Sequence, residues 1–257
     1  MKLSIVTVVM DEVDDLCKTR DSILKQQCNN VEWVVVHGGV NAEIVKCVEA
    51  TSHDLDIKII SEPDNGIYDA MNKGLNIASG VYVVFLNAGD VFHDEFVLRK
   101  VLDVLKTSNC TIDMLFGAAV LTFSNNTRYV RQPKDIEKYL WHGLPANHQA
   151  TYYKKSSIVM PAYDLKYKMC GDYYIVAKMY LNGAISEVLN ESLVDFKIGG
   201  VSYYNPWLLI KEAYAIQKNV LSISFSRRII SALKRPFATF VVIIIQNNIV
   251  SNFNKLK

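Results

Sequence analysis

Two aspartates in this chain of 257 residues stand beside apolar residues in positions where a carboxylate can do chemistry. Asp90 ends the run "VVFLNAGD", and Asp172 follows Met169 and Cys170 in "MCGDYY". A carboxylate at the end of a buried strand can hold a divalent cation, because hard cations prefer oxygen ligands. A carboxylate among apolar and aromatic side chains gains proton affinity through desolvation and can act as a base. The structural alternative for both aspartates is a helix N-cap.

Strand and helix patterns alternate over the first 90 residues and must position these acids. Runs at 3–9, 31–36, 56–60 and 81–86 predict strands, and the stretches at 13–27 and 66–79 predict helices. The alternation is typical of an α/β fold, a parallel sheet covered by helices on both faces. Ligands bind such sheets beyond the carboxyl ends of the strands. His37 and Asp90 are predicted to lie at such ends.

The second half of the chain has weaker patterns. It predicts a strand at 114–123, a hairpin return at 128–133, a buried segment at 147–155 and a helix at 172–182. A last strand is predicted at 194–202, and Pro206 is predicted to begin a helical tail.

The tail differs in charge from the rest of the chain. Residues 218–257 contain seven basic residues and no acidic one, so the net charge of +2 leaves −5 for residues 1–217. The apolar segment 237–245 is far shorter than the roughly 20 residues of a membrane-spanning helix. The basic pairs at 227–228 and 234–235 beside this segment favour a helix that lies on an anionic membrane surface. A helix packed on the domain with a solvated basic face is the alternative.

Cysteine usage and the N-terminus favour the cytoplasm. The five cysteines at 17, 28, 47, 110 and 170 are scattered and have no CxxC spacing, which argues for a reducing compartment and against a zinc site. The opening "MKLSIVTVVMDE" reads as a strand and lacks the longer apolar region of a secretory signal.

Four sequence blocks resemble glycosyltransferase family 2, and they come in that family's order. They are "SEPDNGIYDAMNKGLNIASGVYVVFLNAGDVF" (61–92), "HQATYY" (148–153), "MCGDYY" (169–174) and "KIGGVS" (197–202). The resemblance covers roughly residues 1–205 and implies an inverting enzyme with the GT-A fold, a Rossmann-like, mostly parallel sheet flanked by helices. We therefore predict a glycosyltransferase domain at 1–205 and a basic amphipathic helical extension at 206–257.

The resemblance implies roles for the two acids. Asp90 matches the acidic motif that holds Mn²⁺ or Mg²⁺ under the diphosphate of the donor, and Asp172 matches the catalytic base. Around the two acids the chain departs from the family, because Asn87, Gly89 and Gly171 stand where many members carry further acids. The departures leave metal binding to Asp90 alone.

The resemblance also implies two binding regions. The nucleotide-sugar side is expected to use His37, Asp64, Asn65, Gly66, Asp69, Asn72, Lys73 and Asn87. The acceptor side is expected to use His148, Gln149 and Trp141, the last on a flexible loop. His37 stands where many relatives have Asp, so the identity of the nucleotide stays open. The structural alternative is a solvated helix face for Asp69, Asn72 and Lys73. For His37 it is a strand-end histidine without a ligand, and for His148 a satisfied core histidine.

The resulting hypothesis is a metal-dependent, inverting glycosyltransferase. Its donor is a nucleoside-diphosphate sugar, with a UDP-sugar favoured. Its acceptor is a glycan intermediate carried on a polyprenyl diphosphate, in O-antigen (lipopolysaccharide), capsule or exopolysaccharide synthesis. The enzyme would work as a peripheral protein at the inner face of the cytoplasmic membrane, without nucleic acid as a partner.

Two alternatives remain at this stage. A nucleotidyltransferase of related fold would carry a glycine-rich basic loop after the first strand, but this chain has "VMDEVDD" there. A degenerate protein that binds nucleotide sugars without turnover is suggested by the acids that are missing at Gly89 and Gly171.

Overall fold

A computed structural model describes residues 1–51, 55–109, 111–123, 125–198 and 205–246, with side chains described up to residue 235. Cys110, residues 199–202 of the "KIGGVS" block and residues 247–257 of the tail lie outside the described part. The strands are β1 (Leu3–Val9), β2 (Val31–His37), β3 (Asp56–Ser61), β4 (Tyr82–Phe85), β5 (Val91–Phe92), β6 (Met114–Thr122), β7 (Arg128–Arg131), β8 (Thr151–Lys154) and β9 (Ser186–Lys197). The helices are α1 (Val13–Leu24), α2 (Ala42–Glu49), α3 (Ile67–Ile77), α4 (Val97–Thr107), α5 (Ile136–Tyr139), α6 (Gly171–Leu181), α7 (Pro206–Asn219) and α8 (Phe225–Gln246).

Within the described residues the nine strands form one sheet, in the order β3-β2-β1-β4-β8-β6-β9-β5 with β7 paired to β6. The half from β3 to β4 is parallel. The other half is mixed, because β8 runs antiparallel to both β4 and β6 while β9 is parallel to β6. The α/β fold predicted from the alternating runs is confirmed, and the predicted hairpin return at 128–133 appears as β7.

Both faces of the sheet are covered, as the continuous apolar strands require. In β1 successive side chains alternate: Val6 and Val8 join one core with α3, α6 and α7, whereas Leu3 and Ile5 join the other with α1, α2 and α4. This period of two is the geometry of a strand. Burial on both faces explains why β1 and β2 read as unbroken apolar runs.

The first helix of the predicted extension is part of the main body. Ala213 and Ile216 of α7 are fully buried in the core that includes α3 and α6. The predicted division at residue 205 stays a prediction, but α7 packs like a core helix. No helix in the described part of the chain combines the length and apolar character needed to cross a bilayer.

Glu32 is a fully buried carboxylate in the first half of β2, away from the carboxyl ends of the strands. Burial would raise the pKa of Glu32, but Lys58 (2.7 Å), Ser4 (2.6 Å) and the amide of Ser79 (2.7 Å) reverse this and hold it far below the ordinary value of 4.5. A carboxylate with a lowered pKa stabilises the fold above its unfolded pKa and loses that contribution on acidification.

Replacing Glu32 with Gln is therefore expected to lower the free energy of unfolding by about 1 to 3 kcal/mol at neutral pH. The difference from the wild type should shrink as the pH falls below about 4, where the unfolded chain takes up the proton. Urea denaturation at neutral and acidic pH measures both. Equal stability of the two proteins at neutral pH would contradict this account.

Candidate active site

A cleft of about 820 Å³ opens at the carboxyl ends of the parallel strands. Its wall is formed by the end of β1, the start of α1, the start of α3, the turn after β4 and Lys197 at the end of β9. Four predicted site residues line it: Asp64, Gly66, Asn87 and Asp90. The strand-end rule that predicted a ligand crevice at Asp90 thus found this cleft.

Asp90 is almost buried, with 8% of its surface exposed. Burial raises the pKa of Asp90 to about 6, against the opposing effect of His148 and of a hydrogen bond from Gln149 Nε2 to Asp90 Oδ2 (3.3 Å). The hydroxyl of Thr19 stabilises the turn that precedes Asp90. It accepts a hydrogen bond from the Gly89 amide (3.0 Å) and donates one to the Asp90 carbonyl (2.8 Å). The N-cap alternative is wrong for Asp90, since β5 follows it and α4 begins only at Val97.

The donor atoms around Asp90 fit a hard divalent cation. Oδ1 of Asn87 and Oε1 of Gln149 are buried and have no hydrogen-bond partner among the described residues. Uncommitted amide oxygens beside a carboxylate are the ligand type that Mg²⁺ and Mn²⁺ accept. The described residues contain no cluster of three or more His, Cys, Asp or Glu suited to a metal. Asp90, Asn87 and Gln149 are therefore the groups that would hold one, with the remaining ligands left to a bound diphosphate or water.

His148 and Gln149 connect the two acids. Both lie in the short 3₁₀ helix His148–Ala150 that leads into β8. Gln149 donates to Asp90, while His148 Nδ1 lies 3.7 Å from Asp172 Oδ2 and His148 Nε2 lies 3.3 Å from Asn87 Nδ2. Two consecutive residues thus contact both carboxylates. The structure brings Asp90 and Asp172, which are 82 positions apart in the sequence, to one locus.

Asp172 lies in the first turn of α6, which begins at Gly171. The N-cap position belongs to Cys170, so the capping alternative is wrong for Asp172 as well. The phenol of Tyr68 donates to Asp172 Oδ1 at 3.5 Å, and the Tyr173 amide donates to the same oxygen at 2.9 Å. Burial keeps the pKa of Tyr68 far above its ordinary value, so Tyr68 stays a hydrogen-bond donor.

The predicted nucleotide residues divide into two groups. Asp64 and Gly66 face the cleft, and Asp64 Oδ1 accepts from the Gly66 amide at 2.8 Å. Gly38 lies so close that an added Cβ would stand 1.9 Å from Asp64 Oδ2. The loops after β2 and β3 therefore meet at the cleft, and Gly38 permits that approach.

Four further predicted nucleotide residues, Asn65, Asp69, Asn72 and Lys73, are used within the protein, and none of these four is among the residues that line the cleft. Asp69 accepts from the Asn65 amide (2.9 Å), and Lys73 donates to Pro63 O (2.7 Å) and pairs with Glu62. Asn72 exchanges two hydrogen bonds with the backbone of Tyr163. These contacts build the turn before α3 and tie α3 to the 163 segment.

His37 is also set back from the cleft. It is 2% exposed at the end of β2, and its Nδ1 lies 3.0 Å from Ser61 Oγ. Its Nε2 has no hydrogen-bond partner among the described residues and lies 3.7 Å from Asp11 Oδ1. In this position His37 contacts Asp11, which accepts from the amides of Val40 (2.9 Å) and Asn41 (2.8 Å).

Trp141, predicted to lie on a flexible loop, lies on a segment that contacts both C-terminal helices. The Trp141 indole donates to Lys138 O (3.0 Å), and Lys234 of α8 stands over its ring at 5.6 Å. Gln217 of α7 donates to the Trp141 carbonyl at 3.0 Å. Burial and the nearby cations Arg235 and Lys234 lower the pKa of the neighbouring His142 to about 4.

The model of the family described as "Glycosyl transferase family 2" matches residues 4–165 of the chain. The chain belongs to glycosyl transferase family 2. A relative from Mycobacterium bovis, a PGL/p-HBAD biosynthesis glycosyltransferase, is 27% identical over 168 residues, which make up 64% of each chain. An uncharacterized glycosyltransferase of Mycobacterium tuberculosis is 26% identical over 182 residues, 70% of this chain and 69% of the relative.

Solved structures share the fold. Staphylococcus aureus TarS, residues 1–349, superimposes with a TM-score of 0.67 and 16% identity over 93% of this chain and 72% of that TarS fragment. The mannosyltransferase PcManGT of Pyrobaculum calidifontis, solved with GDP-Man and Mn²⁺, has a TM-score of 0.65 and 13% identity over 99% of this chain and 80% of its own. At these identities the likeness establishes the GT-A fold of this family 2 chain.

The departure of this family 2 chain at position 171 has a steric reason. An added Cβ at Gly171 would lie 2.8 Å from three ring atoms of Tyr68. Tyr68, which is stacked on Tyr163 at 5.1 Å, occupies the space that a side chain at 171 would need. The hydroxyl of Tyr68 instead reaches Asp172.

Several residues of the cleft were not indicated by the sequence patterns. Glu12, Asp15 and Lys18 line it from the start of α1, and Lys197 lines it from β9. Applying the strand-end rule to β1 as well would have selected the acids of "MDEVDD". Tyr68 and Thr19 carry no comparable signal, since their partners are distant in sequence.

Proposed function

We propose that this family 2 chain transfers a sugar from a nucleoside-diphosphate sugar to a hydroxyl group of a glycan acceptor, with inversion at the anomeric carbon. The observation that carries the proposal is the contact of His148 and Gln149 with both Asp172 and Asp90. An inverting transfer needs a base on the acceptor side and charge neutralisation on the leaving-group side, and these two acids lie on either side of one short segment.

The chemistry divides between the two acids. The oxygen of the acceptor hydroxyl forms a bond to the anomeric carbon of the donor sugar, and Asp172 takes the proton of that hydroxyl. The bond between the anomeric carbon and the diphosphate oxygen breaks on the opposite face. His148 and Tyr68 orient the Asp172 carboxylate. A divalent cation, when bound near Asp90, neutralises the charge of the departing diphosphate. Asp64 and Gly66 line the part of the cleft where the nucleoside would lie.

A donor screen tests this proposal. The chain is incubated with a panel of UDP-, GDP- and dTDP-sugars with and without Mn²⁺, and thermal stabilisation is followed by assays of nucleotide release. We favour a UDP-sugar, since TarS was solved with UDP-GlcNAc, although PcManGT was solved with GDP-Man. Stabilisation by a donor together with metal-dependent release supports the proposal, whereas no response to any donor contradicts it.

A second candidate is a protein that binds nucleotide sugars without turnover. It is favoured by the small number of acids at the predicted metal site, since the described residues contain no cluster of three or more His, Cys, Asp or Glu suited to a metal. The same screen separates the two functions. Donor binding without nucleotide release, in the presence of metal and of lipid-linked acceptors, would favour the binding protein.

The acceptor is proposed to be a polyprenyl-diphosphate-linked intermediate of O-antigen, capsule or exopolysaccharide synthesis at the cytoplasmic face of the membrane. The support is the first part of α8, where Phe225, Ile230 and Leu233 are 65%, 46% and 72% exposed. Arg227 and Lys234 are exposed on the same stretch. Apolar side chains interleaved with cations suit the surface of an anionic membrane.

Replacing Phe225, Ile230 and Leu233 together with Ser is expected to lower binding to anionic vesicles by more than about tenfold, because each buried apolar side chain contributes about 1.5 kcal/mol or more. Vesicle flotation measures the bound fraction. This triple variant is preferable to deletion of the tail, since Ser231 of α8 is fully buried and bonded to Gln217.

A matched control replaces the exposed apolar residues Val159, Leu181 and Ile185 with Ser. The control should bind vesicles like the wild type. Equal flotation of both triple variants would remove the membrane proposal.

A further inference from the structure

Three consecutive backbone amides just before α6 converge on one buried carboxylate. The amides of Lys168, Met169 and Cys170 donate to Glu212 of α7 at 2.8, 2.8 and 3.0 Å. Glu212 is 6% exposed and comes from a helix that follows Asp172 by some 40 positions in the sequence. We propose that Glu212 is a positioning residue for Asp172. This inference rests on the proposed role of Asp172 as the base.

The physical reason is the direction that these bonds impose on the backbone. Amides that lead into a helix have no partner within the helix and need an external acceptor when they are buried. Glu212 supplies it with charge-assisted bonds, which are stronger than neutral ones. Asp172 follows Cys170 by two residues, so the anchor sets where α6 begins. The carboxylate of Asp172 is thereby held within reach of Tyr68 and His148.

The anchor is mounted on a rigid element. The next residue, Ala213, and Ile216 one turn on are fully buried in the core. Gln217 donates to Ser231 Oγ of α8 (2.8 Å) and to the carbonyl of Trp141. Functional side chains hold their geometry when a packed scaffold supports them. Helices α7 and α8 thus hold the segment before Asp172 and the 141–142 segment together.

The test uses the full chain with Glu212 replaced by Gln, which keeps one acceptor oxygen but places an NH2 donor where the other oxygen accepts from the backbone. Three quantities are measured: hydrogen exchange of the amides at 168–172, the affinity for the donor nucleotide, and kcat and KM for transfer. We expect faster exchange confined to this segment and a fall in kcat of about 10- to 100-fold, as misplacement by an ångström produces. Donor affinity and donor KM should not change, because the donor cleft does not include Glu212.

The matched control is the Glu32→Gln variant, which also loses a buried, multiply bonded carboxylate but lies away from the site. It should lose stability without losing kcat. A Glu212→Asp variant retains the charge on a shorter side chain and should give a kcat between those of wild type and Glu212→Gln; it replaces the Gln variant if that protein does not fold.

The outcomes are distinguishable. An unchanged kcat in Glu212→Gln, or an equal loss of kcat in Glu32→Gln, overturns the positioning role. If the wild type transfers no sugar, the proposed function fails. Hydrogen exchange then tests independently of activity whether Glu212 anchors the segment before Asp172. Faster exchange confined to 168–172 then supports the anchor, and unchanged exchange refutes it.

Discussion

Replacing Asp172 with Asn is expected to reduce kcat for sugar transfer by about 100- to 10,000-fold, the range for loss of a general base. Asn has the same shape and can still accept from the Tyr173 amide and Tyr68, but it cannot take up the proton of the acceptor. Asp172 is not among the residues that line the donor cleft. Calorimetry should therefore give an unchanged dissociation constant for the donor nucleotide while the transfer assay gives almost no product.

The control for this substitution is Asp164→Asn. Asp164 precedes α6 and is a partly exposed acid paired with Lys166 at 2.6 Å, and its change should leave kcat as in the wild type. Full activity of the Asp172→Asn protein would place the base elsewhere, with His148 the next group to test. A joint loss of donor binding and activity would point to a structural defect instead.

Replacing Asp90 with Asn is expected to remove metal-dependent transfer. Asp90 is the one carboxylate in the group of oxygen donors formed with Asn87 and Gln149, so a neutral amide in its place removes the negative charge with which this group attracts a divalent cation. At an effective dielectric constant near 20, one such contact at 4 Å amounts to about 4 kcal/mol. Titration with Mn²⁺ should show activity rising in the wild type and staying at the metal-free level in the variant. A variant with the wild-type response to Mn²⁺ would exclude Asp90 as a ligand.

The same substitution is expected to stabilise the protein above about pH 7, by about 2 to 3 kcal/mol. Burial raises the pKa of Asp90 to about 6, against 3.8 for an unperturbed carboxyl. The folded state therefore disfavours the ionised form. The loss of folding stability caused by ionised Asp90 is fully present above the pKa of the folded state and declines as the pH falls. It is absent below the pKa of the unfolded state, where Asp90 carries the proton in both states.

Melting temperatures of the wild type and the Asp90→Asn variant in the absence of metal check this sign. The variant should melt higher at neutral pH, and the two should melt alike at about pH 3, below both pKa values. The exposed Asp103→Asn exchange serves as control and should not change the melting temperature. A less stable Asp90→Asn protein at neutral pH would mean that the carboxylate is not under strain from burial.

Local patterns in the sequence were enough to predict the strands and the ligand-binding edge of the first half of the molecule. The run "LSIVTVV" became β1 with the predicted bounds, and the acid after β4 faced the cleft as expected. Both predictions depend on rules that hold within a short window, since β-branched runs form strands and parallel strands deliver their carboxyl ends to one edge. The motif blocks indicated the family in the same way, because each block is a short contiguous stretch of sequence.

Contacts between segments that are distant in the sequence could not be predicted from such short-window rules. The link from His148 and Gln149 to the two acids joins the 90, 148 and 172 regions, and Glu212 joins α7 to the start of α6. Lys73, expected on the nucleotide-sugar side, forms an ion pair with Glu62 that its own sequence neighbourhood did not indicate.

The sequence was thus sufficient to establish the class of fold, the family and the edge of the sheet at which ligands are expected. The partners of each polar side chain were settled only when the two cores packed, because a buried polar group bonds to whichever group the packing brings within about 3 Å, however far apart the two are along the chain.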